Sequence, residues 1–186
     1  MKKRLRVLAI SGSLRRGSSN SALVETVARL SPQTVVVSIS HDLAELPHFN
    51  PDLEGETTPA AVTRFRASLQ ACEVVLISSP EYAHGVPGVL KNALDWVVAS
   101  GELIDKPIAL INASARATHA WTSLRETLSV MSANVIVPAS ITVPLDGRSL
   151  DAEGILGDPE LSTTLRSALE ALVRAGLDAR TIAPSR

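Results

Sequence analysis

Five short apolar runs, separated by stretches of helical periodicity, set the limits on what this chain can fold into. The runs span residues 4–10, 33–39, 73–79, 107–112 and 134–137, and they are close to continuously apolar rather than alternating. Strands of that kind are covered on both faces. Helical stretches fall at 20–30, 59–71, 87–99 and 118–131, with a last one at 159–175. Five βα units joined by right-handed crossovers predict an α/β three-layer sandwich, a parallel sheet with helices on both faces. Two helix starts carry their own signals. Thr58-Pro59 and Asp158-Pro159 each put an N-cap residue before a proline at the first helical position. Gly176 marks the expected end of the last helix, and residues 41–57 and 141–156 read as irregular. At 186 residues, a single domain over 1–186 is expected.

The first apolar run ends in Ser11-Gly12-Ser13-Leu14-Arg15-Arg16-Gly17-Ser18-Ser19-Asn20, where a helix should begin. Small residues let backbone N–H groups approach an anion, and a helix N-terminus adds unpaired donors and partial positive charge. Ser13, Ser18 and Asn20 offer neutral hydrogen bonds, and Arg15 can grip a phosphate through two donors at once. An ordinary strand-to-helix turn also favours Gly and Ser, but has no use for so many anion-binding groups together. A phosphate loop after strand one in so small a chain favours the flavodoxin-like order, a five-stranded sheet 2-1-3-4-5, over a six-stranded Rossmann sheet.

Composition narrows the partners. Apolar residues make up 45% and charged residues 20%, with a net charge of −1, which argues against nucleic acid. Charge is nonetheless uneven: Lys2, Lys3, Arg4, Arg6, Arg15 and Arg16 precede the first acid, Glu25. Cys72 is the single cysteine, so one chain has neither a disulfide nor a cysteine-rich metal site, and it reads as a small buried hydrophobe. No apolar stretch approaches the ~20 residues of a membrane span, and Arg6 breaks any signal-like run; no membrane partner and a cytoplasmic location are expected.

The third run leads into Ser79-Pro80-Glu81-Tyr82-Ala83-His84-Gly85-Val86-Pro87-Gly88, then Val89-Leu90-Lys91-Asn92-Ala93-Leu94-Asp95-Trp96. Strands one and three are neighbours at the switch point of a 2-1-3-4-5 sheet, so their loops flank one crevice. Together the two loops resemble the NADPH-dependent FMN reductase family of flavodoxin-like proteins, which includes quinone, chromate and azo-dye reductases. The first motif is similar to that family's Gly-Ser-x-Arg…Ser-x-Asn phosphate loop. The second matches it at Pro80-Glu81-Tyr82, Pro87-Gly88 and residues 90–96. The likeness covers roughly residues 4–135.

The resemblance implies FMN and NADPH as cofactors and a small-molecule electron acceptor. It assigns Ser13, Arg15, Ser18 and Asn20, with Ser19 beside them, to the FMN phosphate. Pro80, Glu81 and Tyr82 go to the ribityl chain and ring. Many members have Asn and Ser where this chain has Ala83 and Gly85, so backbone N–H groups around Gly85 are expected to serve instead. His84 is a further candidate toward substrate or NADPH. The loop after strand four, Asn112-Ala113-Ser114-Ala115-Arg116-Ala117, is expected to approach the ring through Ser114. Arg16 and Arg116 are candidates for the 2′-phosphate of NADPH. On the helix from Pro87, Val86, Val89, Leu90, Ala93, Leu94 and Val97 form a core-facing stripe. The resemblance places a subunit interface of a homodimer or homotetramer on this helix, with Trp96 as its expected contact.

Hydride transfer between nicotinamide and flavin needs no protein nucleophile. The chain accordingly lacks Gly-x-Ser-x-Gly, a Walker A loop and a zinc-spaced His/Asp/Glu cluster. The expected activity is hydride transfer from NADPH through FMN to a quinone, free flavin, metal oxyanion or azo or nitro compound, by a ping-pong mechanism. An electron-carrying flavodoxin fits less well, because 3% aromatic residues leave few rings to shield a flavin. A flavin-binding sensor is the other alternative. A Rossmann dehydrogenase is disfavoured by Ser13 and Leu14 where the turn needs its second glycine.

Overall fold

The computed structural model describes residues 3–182. Strands β1 (Leu5–Ser11), β2 (Val35–Ser40), β3 (Val74–Ser78), β4 (Pro107–Asn112) and β5 (Asn134–Val135) are all parallel, in the order β2-β1-β3-β4-β5. A sixth strand, β6 (Ile141–Thr142), pairs parallel with the end of β4 while β5 pairs with its start. The fifth sheet position is therefore shared by two short strands. Pro138 explains the break: it supplies no N–H to the ladder and sits in a 3₁₀ turn over Val137–Ala139. The Ser140 hydroxyl fills the gap by accepting the Leu110 N–H at 3.1 Å. The expected strand over 134–137 is accordingly shorter, and the stretch 141–156 is more ordered than expected. Besides β6 it holds the short helix α5 (Ala152–Gly157), capped by Asp151 Oδ1 at Gly154 N.

Alternate residues of each central strand feed opposite cores. Val7, Ala9, Leu76 and Ile111 pack with Leu23 and Val27 of α1 (Ser19–Leu30) and Leu165, Leu169 and Leu172 of α6 (Pro159–Ile182). Leu8, Ile10, Ile77 and Leu110 face the other way. They meet Phe65 and Leu69 of α2 (Ala60–Ala71), Leu90 of α3 (Gly88–Asp95) and Leu124 and Leu128 of α4 (Thr118–Val130). This two-sided burial is why the strands read as near-continuous apolar runs. Cys72 is buried among the second set, and burial pushes its thiol pKa up.

Three local expectations need correction. Gly176 does not end the last helix, which runs on to Ile182. A Cβ there would lie 2.5 Å from Val74 Cγ1 and 3.2 Å from Leu5 Cδ1, so the glycine lets the helix lie close on the sheet. Thr58 is not an N-cap: its hydroxyl donates to Gly55 O, and Pro59 occupies the cap position of α2. The helix from Pro87 is shorter than 87–99, since α3 stops at Asp95 and turns follow. Asp158, by contrast, caps α6 as expected, its Oδ1 accepting from Glu160 N and Leu161 N at 3.1 Å.

Candidate cofactor site

The loops after β1, β3 and β4 converge at the C-terminal edge of the sheet on a cleft of about 540 Å³. Ser13, Arg15, Ser18, Ser19, Asn20, Pro80, Glu81, Tyr82 and Ser114 line it together. That volume lies within the ~300–1,000 Å³ range of cofactor sites. At one end the β1–α1 loop turns sharply at Gly17, whose φ is +64°. Gly12 passes close to its neighbours, where a Cβ would sit 3.1 Å from Leu90 Cδ2 and Ser79 Oγ. Ser18 caps α1 through its hydroxyl at Asn20 N, and the first turn of α1 holds no acidic residue. Asn20 is buried and anchored, its Oδ1 accepting from Ser78 Oγ at 2.9 Å, which leaves the amide Nδ2 as a donor. Ser13 Oγ accepts from Arg15 N and lies 3.4 Å from Tyr82 OH, tying the first loop to the second.

The cleft has three arginines and two carboxylates on its walls, but their charges are not equally free. Arg116 pairs with Asp146 at 2.9 Å and Arg148 with Asp158 at 2.7 Å. Hydrogen bonds from Ser114 and then Arg116 hold the Asp146 carboxyl below its ordinary pKa. Glu81 spends Oε2 on Ala120 N at 2.8 Å, in the first turn of α4. Among the described residues, Arg15 is the cleft arginine without a carboxylate partner. The end of the cleft at the β1–α1 loop is therefore a cluster of hydroxyls, an amide, helix N–H groups and one unpaired guanidinium, with no acid on the loop. That donor set fits a phosphate dianion. Elsewhere the lining includes Pro80, Tyr82 and the small residues Ala113 and Ala117, which leave room for a planar ring. The residues present thus fit FMN.

Five candidates lie apart from the cleft lining: Arg16, Ala83, His84, Gly85 and Trp96. Ala83 and His84 form the two central residues of a tight turn, with φ of 48° and 58°, closed by Tyr82 N–H to Gly85 O and Gly85 N–H to Tyr82 O. The Gly85 N–H is consumed in that turn and is not available to a flavin. The His84 ring stacks on His119, centroids 4.2 Å apart, rather than standing alone over the cleft. Trp96 is neither on the helix surface nor an interface contact. It is fully buried within its own chain, its Nε1 donating to Pro47 O at 2.8 Å and its ring meeting Phe49 edge-on. Asn92 joins it, accepting from Phe49 N and donating to Pro47 O, so both residues hold down the 41–57 segment.

Leu145, Asp146, Gly147, Arg148 and Ser149 also line the cleft and were not singled out by the sequence. Asp146-Gly147 is a turn signal, but only the pairing of β6 with β4 carries it to the cleft. Leu145 N–H donates to Ala113 O, which fixes that approach. Asn112 organises the loop after β4, its Oδ1 accepting from Ser114 N and its Nδ2 donating to Ala117 O.

Loop geometry of this kind, on a 2-1-3-4-5 parallel sheet, defines a flavodoxin-like flavin oxidoreductase. The chain belongs to the NADPH-dependent FMN reductase family, whose model matches residues 5–147. It is 34% identical over 173 residues to an NAD(P)H-dependent FMN reductase of Pseudomonas aeruginosa, covering 90% of this chain and 93% of that protein. It is also 34% identical over 178 residues to a probable NADPH:quinone oxidoreductase of Oryza sativa, covering 91% and 88%. Among solved structures, the flavoenzyme NAD(P)H:(acceptor) oxidoreductase of Paracoccus denitrificans shares the fold, with a TM-score of 0.76 at 24% identity over 94% of this chain and 98% of that one. No helix among the described residues is long and apolar enough to cross a membrane.

Proposed function

We propose that this chain binds FMN in the cleft between the β1, β3 and β4 loops and uses it to carry hydride from NADPH to a small acceptor such as a quinone. The observation that carries this reading is one cleft lined both by a donor-rich phosphate loop with an unpaired Arg15 and by Pro80, Tyr82 and the small residues Ala113 and Ala117. When bound, FMN supplies the two-electron chemistry, taking hydride from the nicotinamide and giving it to the acceptor. The chain's own part is to bind and to orient. Arg15, Ser13, Ser18, Ser19 and the first turn of α1 hold the phosphate. Tyr82, tied to Ser13 and half exposed, and the 113–117 loop flank the ring. Tyr82 is the one aromatic residue among those lining the cleft, so one face of the ring stays open. NADPH and the acceptor then occupy that face in turn. Initial rates at several fixed acceptor concentrations should give parallel double-reciprocal lines; intersecting lines would require both substrates bound at once and would overturn the shared-face mechanism.

A further inference from the structure

Two residues of the loop after β3 hold a backbone conformation that costs energy. Ala83 and His84 have φ of 48° and 58°, values that glycine and asparagine adopt more easily. Strain of this kind persists only where the surroundings hold it in place. Inside the turn, Tyr82 and Gly85 exchange both of their N–H groups. Outside it, the His84 ring lies on that of His119, in the first turn of α4, with centroids 4.2 Å apart and planes at 11°. Both histidines are exposed, so burial does not force the contact. Imidazole lone pairs lie in the ring plane, so a parallel stack does not converge them on a metal ion. Nor is there a cluster of three or more metal-ligating side chains among the described residues. What the stack does hold is the loop. On the other side of Tyr82, Glu81 Oε2 accepts the Ala120 N–H at 2.8 Å. Tyr82 is thus bracketed by two ties to consecutive residues of α4, His119 and Ala120. Its hydroxyl lies 3.4 Å from Ser13 Oγ on the phosphate loop. Resting on the FMN reading above, we propose that His84 and His119 are positioning residues for the flavin. Their stack latches the turn to α4 and sets the Tyr82 phenol against the bound ring, while neither imidazole lines the cleft.

Fluorescence of the bound flavin reads the latch, because a phenol quenches it by electron transfer only at close contact. In wild-type protein loaded with FMN, the flavin should be strongly quenched. His119 is exposed on a helix, where alanine is favourable. His119→Ala should brighten the bound flavin and weaken FMN binding by about threefold to tenfold, the worth of one aromatic pair. His84→Gly should do the same. Glycine suits the positive φ, so that variant keeps the turn and loses only the ring. His119→Phe supplies a flat partner again and should restore both quenching and affinity. On a Tyr82→Phe background, whose flavin is already bright, His119→Ala should add little, because the two residues act in series. Quenching and affinity indifferent to both single variants would overturn the latch, as would a bright flavin in the wild type. A loss of equal size on the Tyr82→Phe background would make the stack a general support of the loop and overturn its action through Tyr82. No rescue by His119→Phe would place the effect in an imidazole nitrogen and overturn the stack as its cause. Failure of the wild type to bind FMN at all would instead bring down the functional reading on which the latch rests.

Discussion

Arg15 carries more of the proposed chemistry than any other single side chain, because its neighbours are already spoken for. Arg116 is held by Asp146 and Arg148 by Asp158, while Arg15 projects from the loop with no carboxylate partner among the described residues. Hydrogen bonds to a charged group contribute roughly 1.5–3 kcal/mol. Arg15→Ala should therefore weaken FMN by about 10- to 150-fold in a fluorescence titration, with the fold intact; unchanged affinity would remove Arg15 from the phosphate site. Trp96 shows the opposite case, a residue whose role is structural. Truncating a buried Trp costs about 3–5 kcal/mol. Trp96→Ala should lower the midpoint of denaturant unfolding sharply and leave the oligomeric mass of the folded fraction alone. A drop in mass at unchanged folding stability would return Trp96 to a subunit interface. This burial was not legible in the sequence, since the helix phase of Trp96 differs from the Leu90, Ala93 and Leu94 stripe. What buries it is the 41–57 segment, folding over from far away in the chain through Pro47 and Phe49.

Elements rather than residues explain where the sequence was legible. Strands and their order were readable because two-sided burial writes itself into composition at β1, β3 and β4. The phosphate loop was readable because its chemistry is local, ten consecutive residues between a strand and a helix. The wall formed by Leu145–Ser149 was not, since β6 is two residues long and its pairing with β4 is a long-range event. Gly176 failed as a stop signal for a related reason: its absent side chain answers to Val74 and Leu5 on the sheet, not to the helix it sits in. That distinction is measurable. Alanine is intrinsically the better helix former by about 1 kcal/mol, so a helix-local account has Gly176→Ala stabilising. Close packing on a buried, stiff valine predicts the reverse, a destabilisation of about 1–3 kcal/mol, seen as a lower thermal midpoint.

At the scale of the molecule, the edge of the sheet opposite the cleft is fastened by one carboxylate. Glu73, just before β3, receives the Arg6 N–H at 2.7 Å, and the guanidiniums of Arg6 and, from the end of α6, Arg180. Burial pushes its pKa up, but these hydrogen bonds and charges outweigh it and hold the carboxyl below its ordinary value of 4.5. A folded pKa below the unfolded one means stability that is complete above about pH 4.5 and is lost as pH falls through the folded value. Thermal midpoints of the wild type should therefore drop on acidification below about pH 4.5 more steeply than those of Glu73→Gln; parallel acid limbs would show that the clamp is not titrating. At the other edge of the sheet, the proposed function has one cleft both hold FMN and leave a face open to NADPH. Protein reconstituted with FMN and mixed with NADPH under anaerobic conditions should lose the visible absorption of the bound flavin, and recover it when a quinone is added. Bound flavin that keeps its absorption in the presence of NADPH would contradict the account.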